Sequence, residues 1–308
     1  MALKGVVSIG ECMLELSGRG GRDWQMGFAG DTLNTLWAAR ALTGPEHSAN
    51  YVSAFGDDPF SRDQIAFLAD NGIGTAQSPI IAGARPGLYA ITLAGAERSF
   101  TYWRGDSAAK QLATDPAALA KSLSGQALVY FSGITLAILN NEGREVLFDA
   151  VGKARRAGSL IAFDPNYRPR LWTSPGEAQD SVRKALAITD IALPTFPDEQ
   201  MLFGDASPEA TAARLTEAGI AEILVKNGEK PALVRHAGAD EHVPAVEVAD
   251  PVDTTGAGDS FNGSYLAARL AGHEPVEAAR RAHVVAAAVV QVRGALAPFE
   301  TLRTAFGL

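Results

Sequence analysis

Short apolar runs alternate with amphipathic segments along most of the chain. The runs Val6–Ile9 and Glu222–Val225 are largely apolar, which is typical of strands buried on both faces. Residues 32–42 and 259–270 instead repeat their apolar side chains at helical spacing. Strands that alternate with helices predict an α/β fold with a mostly parallel central sheet and helices on both of its faces. Further strands are predicted at 51–55, 127–131, 160–163 and 188–193, and further helices at 142–154, at 275–292 and from Asp58-Pro59 to Leu68.

Two regions break this alternation. Residues 11–17 alternate apolar and polar side chains, and residues 88–93 and 99–103 flank a Gly-Ala-Glu turn at 95–97. Such alternation is typical of half-exposed antiparallel strands, with one face packed and the other in water. We therefore expect a second, smaller sheet.

A small sheet assembled from separated segments would project from the main domain and act as a lid over a site. The chain contains no internal repeat, low-complexity tract or interdomain linker. We expect one continuous domain over residues 1–308, with lid strands from about 11–28 and 86–105. Because exposed strands often pair with those of a second copy, we also expect a homo-oligomer formed through the lid.

Composition and charge narrow the function classes. Of 308 residues, 47% are apolar and 20% are charged, as in ordinary globular proteins. The net charge of -8, with no basic stripe, argues against a nucleic-acid partner. The lone cysteine, Cys12, excludes an intrachain disulfide and fits a reducing cytoplasm. No apolar run approaches the ~20 residues that span a bilayer, so no membrane partner is expected.

The most informative segment lies at residues 253–263 and is DTTGAGDSFNG. Gly256 and Gly258 let backbone N–H groups approach a ligand, and the first turn of a helix favours an anion such as phosphate. Asp259 in the same turn could accept a proton, so the segment suggests phosphoryl transfer. Taken alone, such a segment more often marks a plain loop-to-helix junction with an acidic first turn.

A second segment, residues 163–172, is FDPNYRPRLW and begins where a predicted strand ends. Parallel sheets place ligand-binding residues at the carboxyl ends of their strands. Asn166, Arg168 and Arg170 could bind a carboxylate or a phosphate, because Arg presents two parallel donors to either group. A surface loop with solvated arginines is an equally good interpretation of this segment by itself.

Two shorter elements could complete a sugar site. Gly30, Asp31 and Asn34 precede or open a helix, where they could cap it or bind sugar hydroxyls. In the predicted lid, Tyr102 and Arg104 fall on one face of a strand and Trp103 on the other. An aromatic side chain in such a strand is more often packed than in contact with a ligand.

Together these segments resemble the ribokinase-like (PfkB-type) carbohydrate kinases, and more narrowly the 2-keto-3-deoxygluconate kinases. The general resemblance lies in DTTGAGDSF at 253–261 and in the element at 30–34. The narrower resemblance lies in IGECM at 9–13, GDTLNT at 30–35, PGLY at 86–89, YWR at 102–104 and NYRPRLW at 166–172. The segments follow the expected order over most of the chain.

The resemblance implies a role for each matching residue. Asp259 would be the base that takes the proton from the sugar hydroxyl as it attacks the γ-phosphate of ATP. The backbone amides of Gly256, Ala257 and Gly258 would form the anion hole. The sugar acid would contact Gly30, Asp31, Asn34, Tyr89, Tyr102, Arg104, Arg168 and Asp259. The nucleotide would lie against Asn166, Arg168, Lys226, Asn227, Gly228, Gly256 and Gly258, with Ala286, Ala287 and Val290 flanking adenine.

The resemblance also implies cations. Mg²⁺ would bridge phosphate oxygens of ATP, and a monovalent cation such as K⁺ would lie at Asp253 and Thr255. The family's Asn-x-x-Glu element, which helps to organise magnesium, is incomplete here: residues 193–199 are LPTFPDE. Glu199 is kept but no asparagine stands three residues before it, so we expect Glu199 to act on magnesium through water.

The arginines favour an acidic sugar. A carboxylate is costly to desolvate unless it is paired, and Arg104 and Arg168 could supply that pairing. The expected reaction is ATP-dependent phosphorylation of 2-keto-3-deoxygluconate to its 6-phosphate. A kinase for a neutral sugar, such as fructose or ribose, is an alternative on the same fold. A non-catalytic sugar-acid sensor is a second alternative.

Overall fold

The computed structural model describes residues 4–20, 22–94 and 97–308. These residues form fifteen strands and eleven α-helices. The strands are β1 Val6–Ile9, β2 Met13–Gly20, β3 Asp23–Ala29, β4 Ala49–Val52, β5 Phe55–Gly56, β6 Ile73–Gly74, β7 Ile80–Ile81, β8 Leu88–Ala94, β9 Glu97–Trp103, β10 Leu128–Ser132, β11 Leu160–Asp164, β12 Ile191–Ala192, β13 Glu222–Val225, β14 Ala232–His236 and β15 Ala239–Val243. The helices are α1 Asp31–Leu42, α2 Pro59–Asp70, α3 Pro116–Leu123, α4 Gly133–Ile138, α5 Asn141–Arg156, α6 Pro175–Leu186, α7 Phe196–Phe203, α8 Pro208–Glu217, α9 Ala257–Leu270, α10 Pro275–Val289 and α11 Phe299–Phe306.

The main sheet of the described residues has nine strands in the order β15-β14-β13-β12-β11-β10-β1-β4-β6. From β13 to β6 every neighbouring pair runs parallel. Only β14 and β15, at one edge, are antiparallel. The predicted α/β class with a mostly parallel sheet is thus confirmed.

Helices cover both faces of this sheet. Because successive strand residues point to opposite faces, Val6 packs in the cluster with α1, α9 and α10, whereas Val7 packs in the cluster with α5 and α6. Because the strands from β13 to β6 run parallel, their carboxyl ends lie together on one side of the sheet. None of the helices in the described ranges has the length and apolar composition that crossing a bilayer requires.

Some local predictions differ from the structure, and one hairpin was not predicted. The strand predicted at 188–193 is shortened to β12, because the amides of Ile188 and Thr189 bond carbonyls at the end of α6. The β14–β15 hairpin was not predicted, since β15 is mostly exposed and carries no apolar run. Asp31 does not cap α1: Gly30 is the N-cap, and Asp31 is the first helical residue.

The small sheet has the order β3-β2-β8-β9. Its outer pairs, β2–β3 and β8–β9, are antiparallel as predicted. The inner pair, β2–β8, runs parallel, because both strands begin where the chain leaves the main domain. The predicted turn includes Gly95 and Ala96, which lie outside the described residues. The fold therefore places a four-stranded lid beside the carboxyl ends of the parallel strands of the main sheet.

Candidate active site

The loop before α9 is held in a tight conformation. Gly256 is the N-cap of α9 with φ 74°, and a Cβ at this position would lie 2.9 Å from the Ala295 carbonyl oxygen. Only glycine suits both requirements. The carboxylate of Asp253 accepts hydrogen bonds from the backbone N–H groups of Thr255 and Gly294, each at 2.9 Å. The amides at the start of α9 are thereby fixed beside Asp259.

Asp259 lies half-buried in the first turn of α9. The Asn34 side chain joins it to α1, because Asn34 Nδ2 donates to Asp259 Oδ2 at 2.8 Å. Burial, and then the negative charge of Asp31, raise the pKa of Asp259 to about 7. The hydrogen bond from Asn34 and the charge of Lys226 oppose this rise. A carboxylate with such a pKa is suited to accept a proton near neutral pH.

Asp31, the first residue of α1, lies close enough to Asp259 for its charge to act on that carboxylate. Its Oδ2 accepts a hydrogen bond of 2.9 Å from Asn166 Nδ2, although Asn166 is 135 residues away in the sequence. Burial raises the pKa of Asp31, whereas hydrogen bonds from Ser132 and Asn166 and the charge of Arg104 lower it. Asn166 has a positive φ of 36°, a strained backbone for a residue other than glycine. The first turns of α1 and α9 and the loop after β11 therefore lie next to one another.

A buried polar network lies beneath these elements and was not predicted from the sequence. Asp164 Oδ2 accepts hydrogen bonds from Lys226 Nζ at 2.6 Å and from Asn262 Nδ2 at 2.7 Å. The Oδ1 of Asp164 accepts a hydrogen bond from the backbone N–H of Asn166 at 3.0 Å. The sequence offered a signal for both missed residues: Asp164 ends β11, and Asn262 lies three positions after Asp259 on the same helix face.

Both arginines predicted for the sugar acid are already in ion pairs. Arg168 Nη1 donates to Asp198 Oδ2 at 3.0 Å and to the Tyr167 carbonyl at 2.9 Å, and half of its side chain is exposed. Arg104 Nη2 donates to the carboxylate of Glu11. Charges of both signs therefore alternate around the site, so the arginines do not form an unbalanced positive patch.

The aromatic residues predicted for the lid lie on neighbouring strands. Tyr89 and Tyr102 are directly opposite each other in β8 and β9, and their ring centroids are 5.7 Å apart. Tyr89 is buried and its hydroxyl donates to the carboxylate of Glu15, whereas Tyr102 is exposed. The lid therefore presents one anchored and one accessible ring on the same face.

Two of the predicted nucleotide residues, Lys226 and Val290, lie beside the segment 252–258. Lys226, Asn227 and Gly228 follow β13, and the Lys226 side chain points inward to Asp164. A Cβ on Gly258 would stand 4.0 Å from Lys226 Nζ, so this amino group lies beside the predicted anion hole. The carbonyl of Val290, the C-cap residue that follows α10, accepts hydrogen bonds from the backbone N–H groups of Val252 and Asp253. Ala286 and Ala287 lie one turn earlier on α10.

Glu199 is fully buried in α7. Arg214 Nη2 donates to its Oε2 at 2.5 Å, and burial raises the pKa of Glu199 to about 7. Its Oε1 has no hydrogen-bond partner among the described residues. Within the same residues no three His, Cys, Asp or Glu side chains are grouped to hold a metal ion. The unpaired Oε1 could accept a hydrogen bond from a water, as the role expected for Glu199 requires.

Comparison with known proteins identifies the class. The family described as "pfkB family carbohydrate kinase" matches residues 3–302. The chain is 40% identical to a 2-dehydro-3-deoxygluconokinase of Dickeya dadantii, covering 98% of this chain and 99% of that protein. It is 41% identical to the protein of the same name from Escherichia coli, covering 97% and 99%. A ribokinase II from E. coli, solved in complex with ATP and Mg²⁺, superimposes with a TM-score of 0.85 at 25% identity, covering 99% of both chains.

The fold and the matches together define a carbohydrate kinase, an enzyme that transfers a phosphoryl group to a sugar. The chain belongs to the pfkB family. The family resemblance expected from the sequence motifs is thereby confirmed, as is the ribokinase-like fold.

Proposed function

We propose that this enzyme phosphorylates 2-keto-3-deoxygluconate, also called 2-dehydro-3-deoxygluconate, on its terminal hydroxyl to give the 6-phosphate. The names of relatives that are 36–41% identical over nearly the whole chain support this substrate. The observation that carries the chemistry is the half-buried Asp259 carboxylate in the first turn of α9, which follows Gly256–Gly258 and is held by Asn34. We further propose that the enzyme works in the cytoplasm.

Asp259 acts as the general base. As the sugar hydroxyl oxygen bonds to the γ-phosphorus of ATP, Asp259 accepts the hydroxyl proton and the bond to the β–γ bridging oxygen breaks, releasing ADP. The backbone N–H groups of Gly256, Ala257 and Gly258 donate to the transferring phosphoryl oxygens. Asn34 holds the base through its 2.8 Å hydrogen bond, so the carboxylate is oriented before the substrate arrives.

The remaining roles concern binding. The adenine lies near Ala286, Ala287 and Val290, and the phosphates lie between the α9 loop and Asn166, Arg168, Lys226, Asn227 and Gly228. Mg²⁺ would neutralise charge on the phosphates when bound, and Glu199 would act on it through water. Asp253 and Thr255 would hold a monovalent cation such as K⁺. The sugar acid contacts Gly30, Asp31, Asn34, Tyr89, Tyr102, Arg104 and Arg168.

The pH dependence of turnover follows from the state of the base. Because the pKa of Asp259 is about 7, most of the free enzyme is protonated and inactive at lower pH. We expect kcat/KM to rise with pH through about 7 and then level off, being about tenfold lower one pH unit below the midpoint than on the plateau. Initial rates at saturating ATP, measured from pH 5.5 to 8.5, test this expectation. A flat profile would contradict it.

The substrate is tested by a panel of sugars with coupled detection of ADP. We expect 2-keto-3-deoxygluconate to give the highest kcat/KM, with fructose and ribose far lower. Arg168→Ala should raise KM for the acid by about 10–100-fold, since a hydrogen bond to a charged group is lost. The same change should alter KM for a neutral sugar much less. Equal losses on acid and neutral sugars would favour the neutral-sugar kinase, and no ADP with any sugar would favour the sensor.

The outer face of the lid fits a second copy of this chain. Trp24, Met26 and Trp103 are 45%, 43% and 58% exposed there. Trp24 and Trp103 line a shallow groove of about 500 Å³ together with Leu16 and Leu88. Exposed apolar patches of this kind are typical of interfaces. We propose a homodimer through this face. Light scattering should give a dimer mass for the native chain and a monomer mass for Trp24→Glu/Trp103→Glu, and a native monomer would refute the proposal.

A further inference from the structure

Glu11 lies at the junction between the main domain and the lid. It stands in the short connection between β1 and the lid strand β2, whereas its ion-pair partner Arg104 directly follows the lid strand β9. Their side chains are only 1% and 12% exposed. The pair therefore joins the first connection into the lid to the last connection out of it.

The other two lid connections also contact Glu11. Gly30 lies between β3 and α1, and a Cβ at this position would be 2.0 Å from the Glu11 carbonyl oxygen. Gly87 precedes β8, and a Cβ there would be 2.5 Å from Glu11 Oε1 and 3.1 Å from Arg104 Cβ. All four connections between the lid and the main domain thus meet at Glu11: Gly87 and Arg104 face its carboxylate, and Gly30 lies against its backbone carbonyl. A shift of the lid relative to the main domain would therefore change the contacts of Glu11.

The pair retains unused hydrogen-bonding capacity. Glu11 Oε1 and Arg104 Nε are both buried, and neither has a hydrogen-bond partner among the described residues. Buried polar groups are normally paired, because an unpaired one is costly. Arg104 also acts on the sugar site, since its positive charge lowers the pKa of Asp31. The guanidinium therefore links the junction to the residues around the base.

We propose that Glu11 is a positioning residue for acid recognition: it orients Arg104 so that the guanidinium pairs with the carboxylate of the sugar acid, and it couples that contact to the position of the lid. This inference rests on the proposed function, because it needs an acidic substrate. An arginine side chain has many rotamers, and a buried carboxylate on one edge of its planar fork leaves the other donors in a fixed direction. The orientation then exists before the substrate binds, which lowers the cost of binding.

The charge of Glu11 also limits what the site accepts. With Glu11 ionised, the pair is neutral overall, so Arg104 attracts an anion only over the short range of a direct hydrogen bond. A free phosphate or a generic anion would gain little from the site, whereas an acid presented by a correctly bound sugar would meet the guanidinium at contact distance. Glu11 is therefore expected to affect recognition of the sugar acid and not binding of ATP.

The test compares the single variants Glu11→Gln, Glu11→Ala and Arg104→Met with the double variant Glu11→Gln/Arg104→Met. Glu11→Gln should raise KM for the sugar acid by about tenfold, and Glu11→Ala by more, as expected for a charged hydrogen bond. The kcat should stay within about threefold and KM for ATP should not change. In the Arg104→Met background, Glu11→Gln should change KM for the acid less than about twofold, because its effect passes through Arg104. Asp106→Asn is the control, since Asp106 forms an exposed ion pair with Arg85 at the same lid connections and should leave all constants unchanged.

Additive effects of Glu11→Gln and Arg104→Met would overturn the inference, as would an unchanged KM for the acid. Should Glu11→Gln fail to fold, Arg104→Lys takes its place: it keeps the charge but loses the planar fork, and the same rise in KM is expected. The native enzyme is assayed alongside. If it phosphorylates the acid while Glu11 variants behave as the native enzyme does, only this inference fails. If it neither binds nor phosphorylates the acid, the proposed function fails as well.

Discussion

Replacement of Asp259 by asparagine is expected to lower kcat by about 10²–10⁴-fold, the usual contribution of a general base. Asparagine keeps the size of the side chain and still accepts the hydrogen bond from Asn34, but its amide cannot take up the hydroxyl proton. Binding of the sugar should therefore persist, with a dissociation constant within about threefold of that of the native enzyme. Single-turnover rates and isothermal titration calorimetry measure the two quantities separately.

The matched control for this change is Asp63→Asn, which makes the same chemical replacement on an exposed residue of α2. It should leave kcat unchanged. If Asp259→Asn kept turnover within tenfold of the native rate, Asp259 would not be the base. A variant that lost both sugar binding and turnover would instead indicate that Asp259 mainly supports the structure of the pocket.

Replacement of Lys226 by methionine is expected to reduce the free energy of unfolding by about 3–5 kcal/mol, because it leaves the buried Asp164 carboxylate without its cation. Lys226 and Asp164 are 8% and 2% exposed, and the 2.6 Å contact between them is shielded from water. Removal of the ammonium group should also shift the pH profile of kcat/KM to higher pH, since the charge of Lys226 lowers the pKa of Asp259. Urea unfolding and initial rates between pH 5.5 and 8.5 measure the two effects.

Two controls separate burial from charge. Lys184→Met removes an ammonium that contacts Glu145 at 2.6 Å, but both side chains are about 60% exposed, so the change should cost less than about 1 kcal/mol. Asp164→Asn/Lys226→Met removes both charges and should recover much of the stability lost by Lys226→Met. If Lys226→Met and Lys184→Met had equal free energies of unfolding, the buried pair of Lys226 and Asp164 would not stabilise the protein more than an exposed pair does.

Much of the candidate site was predictable because its residues lie close together in the sequence. The glycine-rich segment that opens α9 places an acidic side chain and backbone amides within one helical turn, and this spacing needs no tertiary information. The positions of Asn166 and Arg168 at the end of a parallel strand follow equally from sequence, since such strands end at one edge of the sheet. These predictions concern where residues lie along an element.

The charge balance of the site was not predictable in this way. Arg104 and Arg168 were expected to provide positive charge, but the structure pairs them with Glu11 and Asp198. The Lys226 side chain, expected beside the nucleotide, contacts Asp164. Each of these pairs joins residues that are 30 or more positions apart, so only the folded chain determines which charges face each other.

The sequence by itself determined the alternation of strands and helices, the family and the candidate base and backbone amides at the start of α9, because these depend on periodicity and on groups within a few residues of one another. The tertiary structure decided the environment of those groups. Burial and the neighbouring Asp31 raise the pKa of Asp259, and the meeting of four lid connections at Glu11 gives that residue its proposed role. Desolvation and Coulomb interactions depend on distance in space, and contacts such as that between Asn34 and Asp259, 225 positions apart, exist only after folding.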